Sequence, residues 1–355
     1  MGERILTNVE RVHFHENDKN SPEDLCLPSC LTSLAGSIGR DIGIRITEDG
    51  WRQRQLYFDL LAWTGMGFGL LWYPGGCPSC TDLSQVNDSH DQTIERGFAG
   101  IGCRADIIEN NAETAALIKQ RLVESIDTGF PVLAFGLVEP PECGIVCGYR
   151  KDGGELLGWD FFQKEFPCEQ HDNGMLLLRD WSKVWKFVFL KEKGAPVDLR
   201  SSERMQQCLE HGIRIMTKTS VENYLAGQAA YEAWKTYVLA DAVPPEEIRR
   251  RHFLHHILVG NLAEARAYTC FYLGGKPDLP PDAPAAERAG DKFMIIHNTC
   301  WKIWNVLGDY GAPMEILAEK FIDPDNRRKI AEHIDEMAQL DREALHLLKQ
   351  AVGQA

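Results

Sequence analysis

The stretch PPECGIVCGYRKDGGELLGWD, residues 140 to 160, decides how this chain folds. Its segment Cys143 to Tyr149 is apolar without alternation, as in a strand buried on both faces. KDGG then supplies turn residues, and ELLGWDFF (155–162) returns as the partner strand. At the mouth of the first strand stand a carboxylate and a thiol, Glu142 and Cys143, where packing alone asks for neither. Two reactive groups at that place call for something opposite them.

Outward from the hairpin, PVLAFGLV (131–138) and KVWKFVFL (183–190) are further short apolar runs between turns. Upstream, Leu27, Leu31, Leu34 and Ile38 recur at helical spacing. They predict a buried helix from Leu27 to Gly39, with Pro28 in its first turn and Gly39 as its stop. A second helix is expected over residues 113–129, where Ile118, Leu122 and Ile126 form one stripe, Asn110 and Glu113 are spaced like a capping box and Gly129 ends the run. Helices followed by antiparallel strands indicate an α+β class. Beyond Pro196 nearly every segment has helical periodicity, interrupted by the Pro-rich connection GGKPDLPPDAPAAERAG (274–290). The expected division is therefore an α+β domain over 1–198 and an all-α helical bundle over 199–355.

Composition narrows the function classes. At 355 residues, 44% of them hydrophobic, the chain is long enough for two cores. Its formal charge of −14 argues against the basic face that a nucleic-acid partner requires. The run LLAWTGMGFGLLWYP (60–74) is too short to span a bilayer and is broken by glycines, so no membrane partner is expected. No basic and apolar leader opens the chain, and eleven cysteines, an odd number, suit free thiols in a reducing cytoplasm. Homo-oligomerisation is left open.

The sharpest chemical candidate is Cys26 in NSPEDLCLPSCLTSLAG (20–36). It directly precedes the predicted buried helix, whose unpaired N–H groups and dipole favour a thiolate and so a nucleophile. The alternative is a cysteine that merely packs. Asn20, six residues upstream, is in reach of the same helix end, where its amide can donate to an oxyanion.

These residues carry a resemblance. A cysteine opening a long helix with Pro two residues on, an amide six residues earlier, a strand ending in GY, a Gly-rich hairpin and an Asp on the next strand together resemble the papain-like cysteine peptidase superfamily. More narrowly, residues 15 to 195 are similar to the N-terminal domain of the butirosin biosynthesis protein H family and to bacteriocin-leader-processing peptidase domains. The resemblance implies a papain-like fold with Cys26 as nucleophile, Asn20 at the oxyanion hole and Asp160 orienting the base. It also implies an acyl group drawn from a small molecule or an acyl-carrier protein, and no cofactor.

This sequence departs from that pattern at the base. Family strands begin with His, whereas counting back from Gly148 lands on Glu142; the usual Gly after the nucleophile is Leu27. Transfer to an amine is therefore expected over proteolysis, since a neutral imidazole normally relays the thiol proton. Glu142 is open to three readings: a base with a raised pKa, a holder of a cationic substrate group, or a solvated rim residue of an inactive site. Hairpin register bears on the choice. A two-residue turn at Asp152-Gly153 puts Asp160 on the side of Cys143, and a three-residue loop ending in Gly154 puts it beside Glu142.

Metal is not expected. Cys77 and Cys80 have half-site spacing, but no second CxxC exists. His252, His255 and His256 lie on adjacent helical positions without a carboxylate at the expected reach. Tyr231, Trp234, Trp301 and Trp304 are most simply core. If the domains enclose an aromatic pocket, Cys143, Tyr231, Trp234 and His256 are its candidate ligand-binding residues. The competing function is then a catalytically inactive papain-like protein that binds a small ligand or peptide in such an interdomain pocket.

Overall fold

The computed structural model describes residues 2–12, 22–75, 82–241, 243–276 and 279–354. Helix and antiparallel sheet are mixed, 51% and 15% of the chain, which is the α+β pattern. The chain divides into two compact units, Met1–Leu60 with Ile94–Asp198, and Leu61–Thr93 with Leu199–Ala355. The apolar run at 60–74 thus starts in the first unit and continues in the second.

In chain order, the first part comprises β1 (Arg4–Ile5), α1 (Cys26–Ser37), the β2 (Ile44–Ile46) and β3 (Arg52–Arg54) hairpin, and α2 (Gln55–Thr64). The segment belonging to the second unit contributes β4 (Leu71–Trp72). The chain then returns through α3 (His90–Gly100), β5 (Cys103–Glu109), α4 (Ala115–Asp127), β6 (Val132–Phe135), β7 (Cys143–Arg150), β8 (Glu155–Trp159), β9 (Leu176–Leu178) and β10 (Lys186–Lys193). These strands form one antiparallel sheet in the order β5-β10-β6-β7-β8-β9. β1 pairs with β7 at Gly148 and Tyr149, beyond the residues that β6 engages.

β7 is central, and Cys143 to Tyr149 are all buried. One face of the sheet receives α4, whose Ile118 and Leu122 join Val132, Ala134, Val146, Leu156, Phe187 and Phe189 in a single core. Fully burying a side chain of this size removes enough apolar surface to contribute about 1.5–3 kcal/mol. Against the other face, α1 packs across β7 through Cys26 and Cys30. Covering both faces is the physical reason that β7 reads as an unbroken apolar run.

Two local expectations shift by a residue. Asn111, not Asn110, makes the turn that leads into α4: its Oδ1 accepts the N–H groups of Glu113 and Thr114 at 2.9 and 3.1 Å, while Thr114, the residue before the helix, makes no side-chain cap bond. Asn110 instead donates to the carbonyls of Trp181 and Val184. In the β7–β8 hairpin, Arg150 pairs with Glu155, so Lys151 to Gly154 form the turn, with Lys151, Asp152 and Gly153 all at positive φ. The register then slips at Cys147, where Val146 faces Gly158 and Ile145 faces Trp159. A bulge, rather than the turn length, therefore decides which face Asp160 takes.

The second unit holds α5 (Ser202–Thr217), β11 (Ser220–Val221), β12 (Tyr224–Ala226), α6 (Gly227–Leu239), α7 (Pro245–Leu273), α8 (Ala285–Leu307), α9 (Met314–Ile322) and α10 (Pro324–Ala351). It is not purely helical, because β11, β12 and β4 form a small antiparallel sheet. Its core contains a charge pair: Arg266, fully buried, donates Nε and Nη2 to Asp341 at 3.1 and 2.7 Å and Nη1 to the Gly67 carbonyl at 2.6 Å. Tyr231 also donates to Asp341, at 2.9 Å. With its donors matched, the guanidinium is satisfied without water.

Candidate functional site

Cys26 is the first residue of α1, and the residue before it, Leu25, is extended and offers no capping side chain. The sulfur thus sits at the end of the helix where N–H groups lack intrahelical partners. The main-chain N–H of Cys143, the first residue of β7, donates to Cys26 Sγ at 3.4 Å. One turn along the helix, Cys30 donates its S–H to the Cys143 carbonyl at 3.4 Å. The two thiols of α1 bracket a single residue of the central strand, one at its N–H and one at its carbonyl.

Cys143 itself is fully buried, and burial pushes its thiol well above the ordinary range, with Cys30, Cys26 and Asp160 adding to the shift. Cys147 is raised by burial and by Cys30. Cys26 is 3% exposed, against 0% for Cys30, Cys143 and Cys147. Four thiols, spaced four apart on a helix and four apart on a strand, therefore share one interior. The nine described cysteines are all free.

Asp160 follows β8 directly and is buried. Phe162 N–H donates to its Oδ1 at 2.9 Å. Burial pushes the carboxyl up to about 7, against the N–H groups of Phe162 and Val138, with Glu165 raising it further. A Cβ placed on Gly144 would lie 3.0 Å from Asp160 Oδ2 and 2.6 Å from Leu137, so glycine is what lets this carboxyl approach β7. Asp160 thus lies beside Gly144, on the face that Glu142 continues by alternation, while Cys143 points its sulfur toward α1. Glu142 is half-buried; its carbonyl accepts Gly136 N–H at 3.0 Å.

The structure therefore brings Cys26, Cys143 and Asp160 to the start of β7, with Cys143 adjoining both of the others. Asn20, His13 and His15 lie outside the described residues, as do Cys77 and Cys80. His171 is held in a turn with Asn173, at 2.9 Å. In the second unit, Tyr231 and Trp234 are fully buried and their polar atoms serve Asp341 and His255. His256 is half-buried and stacks on Tyr310 at 5.9 Å between ring centroids.

No protein-family model and no curated protein matches the chain. Its chemistry rests on its own geometry. Among the described residues no group of three His, Cys, Asp or Glu side chains is placed to hold a metal ion, and no helix is long and apolar enough to cross a membrane.

Residues that the sequence pattern did not single out complete the surroundings. Arg54 at the end of β3, 5% exposed, donates to Glu23, three residues before Cys26, and to Ser29 and Ser33 of α1 at 2.8 and 2.9 Å. It also reaches Glu10 at 3.3 Å. Burial alone would lower the Arg54 pKa, and Glu23 and Glu10 more than offset it. One guanidinium thereby fixes the approach to Cys26 and the first two turns of α1. No local signal marks this, since 31 residues separate Arg54 from Glu23. Cys30 did carry a signal, its four-residue spacing from Cys26. Elsewhere on the first unit, an open cleft of about 390 Å³ at the start of α4 is lined by Asn110, Asn111, Arg179 and Trp181, with Arg179 already held by Glu155 and Glu169.

Proposed function

We propose that the first unit is papain-like and performs thiol-dependent acyl or amide chemistry, Cys26 taking up an acyl group as a thioester from a small molecule or an acyl-carrier protein. The observation that supports this most is the Cys143 N–H donating to a sulfur at the open end of α1. Helix end and N–H donor both favour the thiolate, the form that attacks a carbonyl carbon. Asp160, with its carboxyl near 7, is the described group closest to neutral titration around that strand end, and from the Glu142 side of β7 it is assigned, with Glu142, to accept the proton of an amine acceptor. Asn20 keeps the oxyanion role that its spacing suggests, and Glu142 the positioning of an amine acceptor. No cofactor, nucleic acid or membrane enters this scheme.

The test is intact-mass analysis after incubation with short-chain acyl thioesters of N-acetylcysteamine. A one-acyl adduct lost in Cys26→Ala is expected; absence of any adduct on Cys26 with such activated donors rules the reading out. The 3% exposure of Cys26 favours a second reading, a non-catalytic protein of the same fold that binds a small ligand or peptide. In that case Cys26 reacts with iodoacetamide no faster than the other thiols.

A further inference from the structure

The sequence motifs explain one thiol at this site, and the structure holds four. Three of them meet at one residue, Cys143 with its own thiol: Cys26 Sγ lies 3.4 Å from the Cys143 nitrogen, and Cys30 Sγ lies 3.4 Å from the Cys143 carbonyl oxygen. A cysteine sulfur is at most about 4 Å from its own main-chain nitrogen by covalent geometry, so the sulfurs of Cys26 and Cys143 are no more than about 7.5 Å apart. Closing that gap to a disulfide of about 2.05 Å requires side-chain rotation and movement of the α1 end, which lacks a side-chain cap. Cys26 is also the one of the four with any exposure and the one at a helix N-terminus, so it meets a small oxidant first.

We propose that Cys143 is the resolving thiol of Cys26, and that hydrogen peroxide converts the pair to a disulfide that withdraws Cys26 from acyl chemistry until a dithiol restores it. The regulatory meaning rests on the reading of Cys26 as the acyl-accepting thiol; the disulfide itself does not. In the first step the Cys26 sulfur attacks the peroxide, the O–O bond breaks, Cys26 becomes a sulfenic acid and one water leaves. In the second, Cys143 attacks that sulfur, the S–S bond forms, the S–O bond breaks and a second water carries off the thiol proton. Each sulfur gives one electron, and the peroxide takes both. Cys143 is a slow nucleophile, because burial disfavours its thiolate, and nearness to Cys26 is what offsets this. Cys30 is the internal competitor, one turn deeper and fully buried.

The experiment is peptide mapping of the full chain under non-reducing conditions after hydrogen peroxide, with and without dithiothreitol. A Cys26–Cys143 linked peptide that disappears on reduction is expected. In Cys143→Ser, dimedone labelling of the Cys26 sulfenic acid should rise several-fold, followed by sulfinic acid. A Cys30–Cys143 link in its place, an unoxidised Cys26, or unchanged dimedone labelling in Cys143→Ser overturns the proposal. The wild-type map decides the matter even if the variant does not fold. If Cys26 accepts acyl groups but forms no disulfide, the proposed function stands and this inference falls; a disulfide without acyl uptake has the opposite meaning.

Discussion

The main-chain N–H of Cys143 donates to the sulfur of Cys26, joining the first residue of the central strand to the first residue of the helix that crosses it. This contact separates Cys26 from the other interior thiols. Cys270 is pushed up to about 12 by burial and Asp291, and Cys147 and Cys300 are raised further. At pH 8, iodoacetamide should modify Cys26 before these three, which should react only on unfolding. Peptide-resolved mass spectrometry over time reads the order directly, and modification of Cys270 or Cys300 ahead of Cys26 refutes it.

Asp160 predicts an unusual pH dependence of stability. Its folded pKa of about 7 lies above the unfolded 3.8, so the folded state binds the extra proton between these values. The contribution is complete below about 3.8 and is lost as pH rises through 7. Asp160→Asn keeps an oxygen for the Phe162 N–H and cannot ionise. Its stability relative to wild type should therefore grow between pH 4 and pH 8, by on the order of 3–4 kcal/mol at 1.36 kcal/mol per unit. Urea denaturation at pH 4, 6 and 8 measures this; a constant difference contradicts it.

Arg54 should matter more than its place in a two-stranded hairpin suggests. Arg54→Met leaves the Glu23 carboxylate largely buried without its partner, a loss of about 3–5 kcal/mol. The double variant Arg54→Met with Glu23→Gln should lose less than the sum of the single changes. Equilibrium denaturation of the four proteins forms the cycle, and strict additivity would show that the pair is not coupled.

Acid should loosen the second unit through its histidines. Trp234 Nε1 donates to His255 Nδ1 at 3.0 Å, so neutral His255 carries its proton on Nε2, and protonation would set donor against donor. Burial lowers His252 to about 4, with His256 contributing, and lowers His255 well below 6.5. Unfolded histidines take up protons first as pH falls below 6.5, so stability drops between there and about 4. His252→Phe, beside Phe321, should reduce that slope, followed by tryptophan fluorescence in urea. An unchanged slope shows that other groups govern the acid limb.

Much of this was legible in local pattern. The stripe Ile118, Leu122, Ile126 gave α4, and all three are fully buried. The run from Leu27 gave α1 with Cys26 at its head, because the 3.6-residue period and Pro28 act within a few residues. β5 carries no such mark: in CRADIIE only Cys103 is buried, so no burial alternation distinguishes the strand. β11 and β12 are two and three residues long, too short for any period to show.

By itself the sequence determined the helices α1 and α4, the central hairpin of β7 and β8, that Cys26 heads a buried helix, and that a thiol and a carboxylate open the central strand. Those properties come from neighbours in the chain. Only the tertiary structure decided that a bulge at Cys147 turns Asp160 to the side of Gly144, that Arg54 clasps Glu23 across 31 residues, and that Cys26 and Cys30 bracket the main chain of Cys143. Register slips and buried polar pairs are settled by packing and desolvation among groups distant in sequence, and no local period encodes them.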